Sequence, residues 1–101
     1  MRHWNTSTFE KHIRGLAPEA RSVRFIVHAQ TRMEQRAITV PMVMECLRRG
    51  VIRRPPGRSI YTGWYECRLE RYIAGKNVAV VAAVDEDDPT VILVTVIDLD
   101  A

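Results

Sequence analysis

Hydrophobic positions change period near the middle of the chain, and the change predicts helices first and strands afterwards. Phe9 and Ile13 stand at i and i+4, the spacing that puts two side chains on one face of a helix. Thr8 is the expected N-cap of this short helix, which runs through Arg14 and is ended by Gly15 and Pro18. Val23 to Val27 reads as a brief extended segment. From His28 the spacing turns helical again, with Ala29, Met33 and Ala37 on one stripe and Gln30, Glu34 and Gln35 elsewhere. A further helix follows at once. Thr39 is its expected N-cap, Pro41 suits its first turn, Val43, Cys46 and Leu47 form its apolar stripe, and Gly50 stops it.

The segment Arg53-Arg54-Pro55-Pro56-Gly57-Arg58 reads as a basic loop, because consecutive prolines remove two backbone donors and the glycine invites a turn. Beyond it, Tyr65, Cys67, Leu69 and Ile73 alternate with Glu66, Arg68, Glu70 and Tyr72, the pattern of a strand with one wet face. Arg71 breaks the pattern by falling on the apolar phase. Val78 to Val84 is apolar in both phases, so a central strand covered on both sides is expected. Val91 to Ile97 repeats that character, interrupted by Thr95. Residues 74–77 and the acidic run 85–89 are hairpin links, and segments near Val51-Ile52 and from Ser59 to Thr62 can add a short edge strand. The expectation is an α+β domain, with two or three short N-terminal helices packed on one face of an antiparallel sheet of three to four strands.

Composition narrows the class. With 101 residues, 47% of them hydrophobic and 27% charged, the chain is sized for one compact core and is too apolar to be disordered. The net charge of +3 conceals a polarity. Residues 1–75 carry fourteen basic and six acidic side chains, a balance of +8, and residues 76–101 carry one basic and six acidic, a balance of −5. Thirteen of the fifteen basic residues are Arg, whose planar fork suits phosphate and carboxylate. A basic body with an acidic end fits a nucleic-acid or an acidic protein partner, and equally a solvated surface. Cys46 and Cys67 stand alone without metal-ligand or redox spacing, which predicts two buried, reduced thiols and calls for no metal and no cofactor. The first residues run straight into charged sequence and the longest apolar run is seven residues. Neither a signal peptide nor a membrane span is expected, and the location expected is cytoplasmic.

The densest chemistry lies in His28-Ala29-Gln30-Thr31-Arg32-Met33-Glu34-Gln35-Arg36. Positions 28, 32 and 36 are four apart, so an imidazole and two guanidinium groups share one helical stripe. Like charges at that spacing repel, and a nearby anion relieves them. Glu66, Glu70 or an acidic loop residue can be that anion in a purely structural network, and so can a phosphate. If it is RNA phosphate, His28 serves as base or acid, Arg32 and Arg36 stabilise charge on the phosphate oxygens, and Thr95, Tyr61 or Tyr65 orients a proton or donates to phosphate. Arg53, Arg54 and Arg58 are the nucleic-acid contacts expected outside the helix. Trp64, Tyr65 and Tyr72 can stack bases on a sheet surface or simply pack. Each residue also has a plain structural role available: an N-terminal hydrogen bond for His28, carboxylate pairing for the arginines, strand packing for Thr95.

The run Phe25-Ile26-Val27-His28-Ala29 through Arg32-Met33, Arg36 and Ile38-Thr39, followed by an amphipathic helix to Gly50-Val51-Ile52, resembles an uncharacterised bacterial domain family marked by His-Ala-x-x-Arg-Met-x-x-Arg-x-Ile. The ending Val-Ile-Leu-Val-Thr-Val-Ile at 91–97 resembles that family's last strand. The resemblance covers roughly residues 23–98 and implies a fold similar to RelE/ParE-type toxins and the wider barnase, EndoU, colicin and RelE group. It further implies a toxin-like ribonuclease with His28, Arg32, Arg36 and Thr95 as its residues. The chain then divides into an N-terminal extension with a short helix, 1–22, and a RelE-like domain, 23–101. Val27 stands where Ser or Thr often caps the family's helix. RNA and an antitoxin or immunity protein are the partners this reading expects, and an exposed strand at the sheet edge leaves a homodimer open. Because ParE-like relatives act by binding a protein, the alternative is a non-catalytic module that binds protein or RNA.

Overall fold

The computed structural model describes residues 5–16, 23–53, 55–59, 63–85 and 88–98. Among the described residues three helices and six strands follow one another: α1 Thr6–Leu16, β1 Val23–Phe25, α2 Val27–Arg36, α3 Val40–Arg49, β2 Val51–Ile52, β3 Gly57–Arg58, β4 Tyr65–Ile73, β5 Lys76–Asp85 and β6 Asp88–Asp98. The class is α+β with the helices on one face, as the pattern predicts. The sheet is larger than expected. Its order is β1-β6-β5-β4-β2, with β3 also paired to β4, and β1 runs parallel to β6 while every other pairing is antiparallel.

Local chemistry sets most boundaries. Asn5, not Thr8, caps α1, its Oδ1 accepting from the Thr8 N–H at 2.8 Å. Thr39 caps α3 as expected, its hydroxyl accepting from Met42 N–H at 3.3 Å while Met42 Sδ accepts from Thr39 N–H at 3.4 Å, which satisfies two otherwise orphaned groups. Helix α2 starts at Val27, and its N-cap residue Ile26 offers no side-chain hydrogen bond. It ends where Ala37 turns left-handed, φ 54, and the Ile38 N–H reaches back to Met33 O at 2.9 Å. This closes a Schellman-type turn with buried Ile38 over buried Met33. Ala37 is therefore exposed and does not continue the Ala29–Met33 stripe. Gly50 ends α3 in extended backbone, and space is what requires a glycine there. A Cβ would strike Cys46 O and lie 3.0 Å from Leu69 Cβ. The β4–β5 turn is only Ala74-Gly75, both at positive φ, 51 and 81, the two-residue geometry that matches strand twist.

One cluster joins all three helices to one sheet face: Phe9 and Ile13 from α1, Ala29 and Met33 from α2, Val43 and Leu47 from α3, and Leu69, Val80 and Val96 among the strands. Helix α1 is therefore built into the domain, since Phe9 and Ile13 are both 0% exposed within the shared core. Arg71, the exception in β4, lies at the edge of this face and donates from Nε to Glu45 Oε2 of α3 at 2.9 Å. Strand β5 is central, as expected, but helices cover only one of its sides. Val78, Val80, Ala82 and Val84 enter the cluster, whereas Ala79, Val81 and Ala83 alternate onto the opposite face. Among the described residues no helix is long and apolar enough to cross a membrane.

Candidate functional site

The basic stripe of α2 forms as its spacing dictates. Ala29 and Met33 anchor the helix in the core, so His28, Arg32 and Arg36 are turned outward and all three are exposed. Arg32 Nε donates to His28 Nε2 at 3.1 Å. The Nε2 lone pair is thus engaged by the guanidinium in this arrangement. Among the described residues no carboxylate pairs with Arg32 or Arg36, which leaves guanidinium donors turned to solvent.

Thr95 does not join them. Its register partner is Val81, and its neighbour Val96 is wholly buried in the core beneath the helices. Alternation along β6 therefore puts Thr95, half-buried, on the sheet face without helices. The four residues expected to form one catalytic set are thus split between two faces of the sheet.

Glu70, one of the expected neutralising anions, is also on that open face, and it serves other arginines. Its Oε1 accepts from Arg53 Nε at 3.2 Å and its Oε2 from Arg68 Nε at 3.1 Å. Arg53, Pro55, Glu66, Arg68, Glu70 and Val81 line a cleft of about 360 Å³. Arg53 and Arg58, the described arginines of the 53–58 loop, are both exposed and each also has a protein partner. Arg53 pairs with Glu70, and Arg58 lies 4.6 Å from the Tyr65 ring centroid, a cation–π distance, while its Nη1 donates to Gly63 O. Gly57 and Arg58 pair with Glu66 and Tyr65 as a short strand, so the loop is shorter than its composition suggests. Arg54 and Tyr61 lie outside the described residues. Tyr65 packs against the core, whereas Tyr72 is 67% exposed.

Alternation along β4 had already put Arg68 and Glu70 on the wet side, but nothing local signalled that Arg53 would reach them. A second cleft, about 520 Å³, lies between β1 and the α2–α3 turn, lined by Phe25, Met33, Ile38 and Val40 with Glu34. The two thiols are chemically quiet. Burial pushes both Cys46 and Cys67 up to about 12, and Cys46 Sγ donates to Leu69 O at 3.3 Å. Among the described residues no three His, Cys, Asp or Glu side chains are grouped to hold a metal ion.

Fold and site together define a small α+β domain with an outward basic stripe on its helical layer. The chain belongs to the family described as Domain of unknown function (DUF4258), whose model matches residues 25–98. Helix α1 precedes the matched segment. A search of curated proteins finds no match.

Proposed function

We propose that this chain is a toxin-like, metal-independent ribonuclease acting in the cytoplasm, with α2 as its reacting surface and an antitoxin or immunity protein as its natural restraint. The observation that carries the reading is the exposed His28–Arg32 hydrogen bond, with Arg36 one turn further along. An RNA phosphate entering this stripe takes the guanidinium donors of Arg32 and Arg36, and Arg32 then releases His28 Nε2. The free lone pair accepts the ribose 2′-OH proton. The 2′ oxygen bonds to phosphorus, the bond from phosphorus to O5′ breaks, and a 2′,3′-cyclic phosphate is left. The departing 5′ oxygen takes a proton from water. The two arginines stabilise the charge that grows on the phosphate oxygens. Thr95 has no part in this set. Unpaired, buried thiols support a reducing compartment.

A second reading, binding of RNA or protein without turnover, is favoured by the same hydrogen bond, since Arg32 occupies the lone pair that a base needs. Incubation of the purified chain with labelled RNA, with and without a chelator, separates the two. Cleavage that survives chelation and falls about 100-fold or more in His28→Ala and Arg32→Ala, with growth arrest on expression lost in parallel, is the expected result. Equal cleavage by wild type and variants refutes the reaction. Salt-sensitive binding without cleavage leaves the second reading standing.

A further inference from the structure

Strand β1 ends the sheet on one side. Among the described residues β6 is its only strand neighbour, so the backbone groups that face away from β6 are open to another extended chain. Beside this edge Gln30 Nε2 donates to Phe25 O at 3.3 Å in an exposed bond, a contact that a backbone N–H can take over. Val23 is buried and Phe25 packs against the same core, which turns both towards the helices. Arg24 between them is therefore turned to the opposite face, and it is exposed. Among the described residues no carboxylate pairs with it.

On the helical side the cleft of about 520 Å³ adjoins this edge. Phe25 of β1 lines it together with Gln30, Met33 and Glu34 of α2, and with Ile38 and Val40 after the turn. Val40 is 47% exposed, although it is apolar. At about 100° per residue, Gln30 and Glu34 lie across α2 from His28 and Arg32, so the cleft and the basic stripe occupy opposite flanks of one helix.

We propose that the β1 edge and this cleft bind an extended segment of another protein, added to the sheet beside β1 and reading apolar, acidic, apolar. Face alternation dictates that pattern. The residue level with Arg24 shares its face, where a carboxylate supplies the ion pair that Arg24 lacks. The residues before and after it turn to the helical side and enter the cleft. Backbone pairing gives the affinity, and the alternate side chains give the choice of partner. A second copy fits poorly, because in-register pairing of β1 with β1 over its three residues sets Arg24 opposite Arg24. RNA fits poorly too, since the cleft is mainly apolar and its one charged group is Glu34. The inference does not rest on ribonuclease activity.

The probes are a synthetic peptide, Lys-Thr-Leu-Glu-Leu-Thr-Lys, and the same peptide with Lys in place of Glu, titrated into the isotope-labelled full chain. The acidic peptide is expected to shift the amide signals of Val23, Arg24, Phe25 and the cleft residues, with a dissociation constant below about 1 mM. Arg24→Glu should weaken it at least about 10-fold and reverse the preference in favour of the Lys peptide. Val40→Asp, which puts a carboxylate in the cleft wall and suits the first turn of α3, should weaken both peptides and decides the matter should Arg24→Glu fail to fold by circular dichroism. Absence of shifts at about 1 mM peptide, shifts confined to other surfaces, or equal binding by the folded variants overturns the proposal. Coverage of the same amides by labelled RNA or by a second copy overturns it as well.

Discussion

Replacing Phe9 by alanine tests whether α1 belongs to the domain or decorates it. Phe9 is 0% exposed and shares one cluster with Leu47 of α3 and Val96 of β6, so truncation removes a whole ring from a site walled by three elements. Such changes cost about 3–5 kcal/mol where the surroundings collapse only partly. A domain of this size has about 5–15 kcal/mol in total, so the variant loses about a fifth of its stability or more. At about 4–8 °C per kcal/mol for a chain near 100 residues, the melting temperature should fall by at least about 12 °C. Thermal and urea unfolding followed by circular dichroism measure this, with Arg14→Ala as the comparison. Arg14 also ties α1 to the body, through Gly50 O at 3.1 Å, but its side chain is only part-buried, and its loss should cost about 1 kcal/mol. A Phe9→Ala change below about 1 kcal/mol would refute the claim that α1 is part of the core.

Two further outcomes follow from backbone and burial. Ala37→Gly should raise stability by about 0.5–1 kcal/mol in the same unfolding assay, because an alanine held at φ 54 carries a steric cost that glycine does not, only partly offset by the greater freedom of the unfolded glycine. Stability should also decline as pH rises above about 9. The thiols of Cys46 and Cys67 ionise near 9.0 when free but are pushed up to about 12 in the fold, so the unfolded chain releases protons that the folded chain retains, and the stabilisation fades between those limits. A Cys46→Ala/Cys67→Ala chain should show a flatter alkaline limb in pH-dependent unfolding.

Where the local pattern was decisive, the sequence was legible. The alternation along β4, the cap at Thr39 and the core stripe of Val43, Cys46 and Leu47 all follow from short-range periodicity. Arg71, an exception in that pattern, is resolved by Glu45, a partner 26 positions earlier that no local window contains. Strand β1 is only three residues long and gains its identity from residues 92–94, so its parallel pairing left no trace in its own sequence. The site divides the same way. An i, i+4 spacing was enough to bring His28 and Arg32 together. Thr95 sits in a strand apolar in both phases, so parity alone did not say which phase the helices would cover.

The pairing of β1 with β6 also orders events during synthesis. Val23 to Phe25 can take their places only against residues 92–94, and Phe9 and Ile13 need the same last strand to complete their enclosure. Helix α3 can pack on β4 and β5 as soon as those strands exist, but α2 and β1 wait for β6, so the two halves of the helical layer complete their packing at different stages of synthesis.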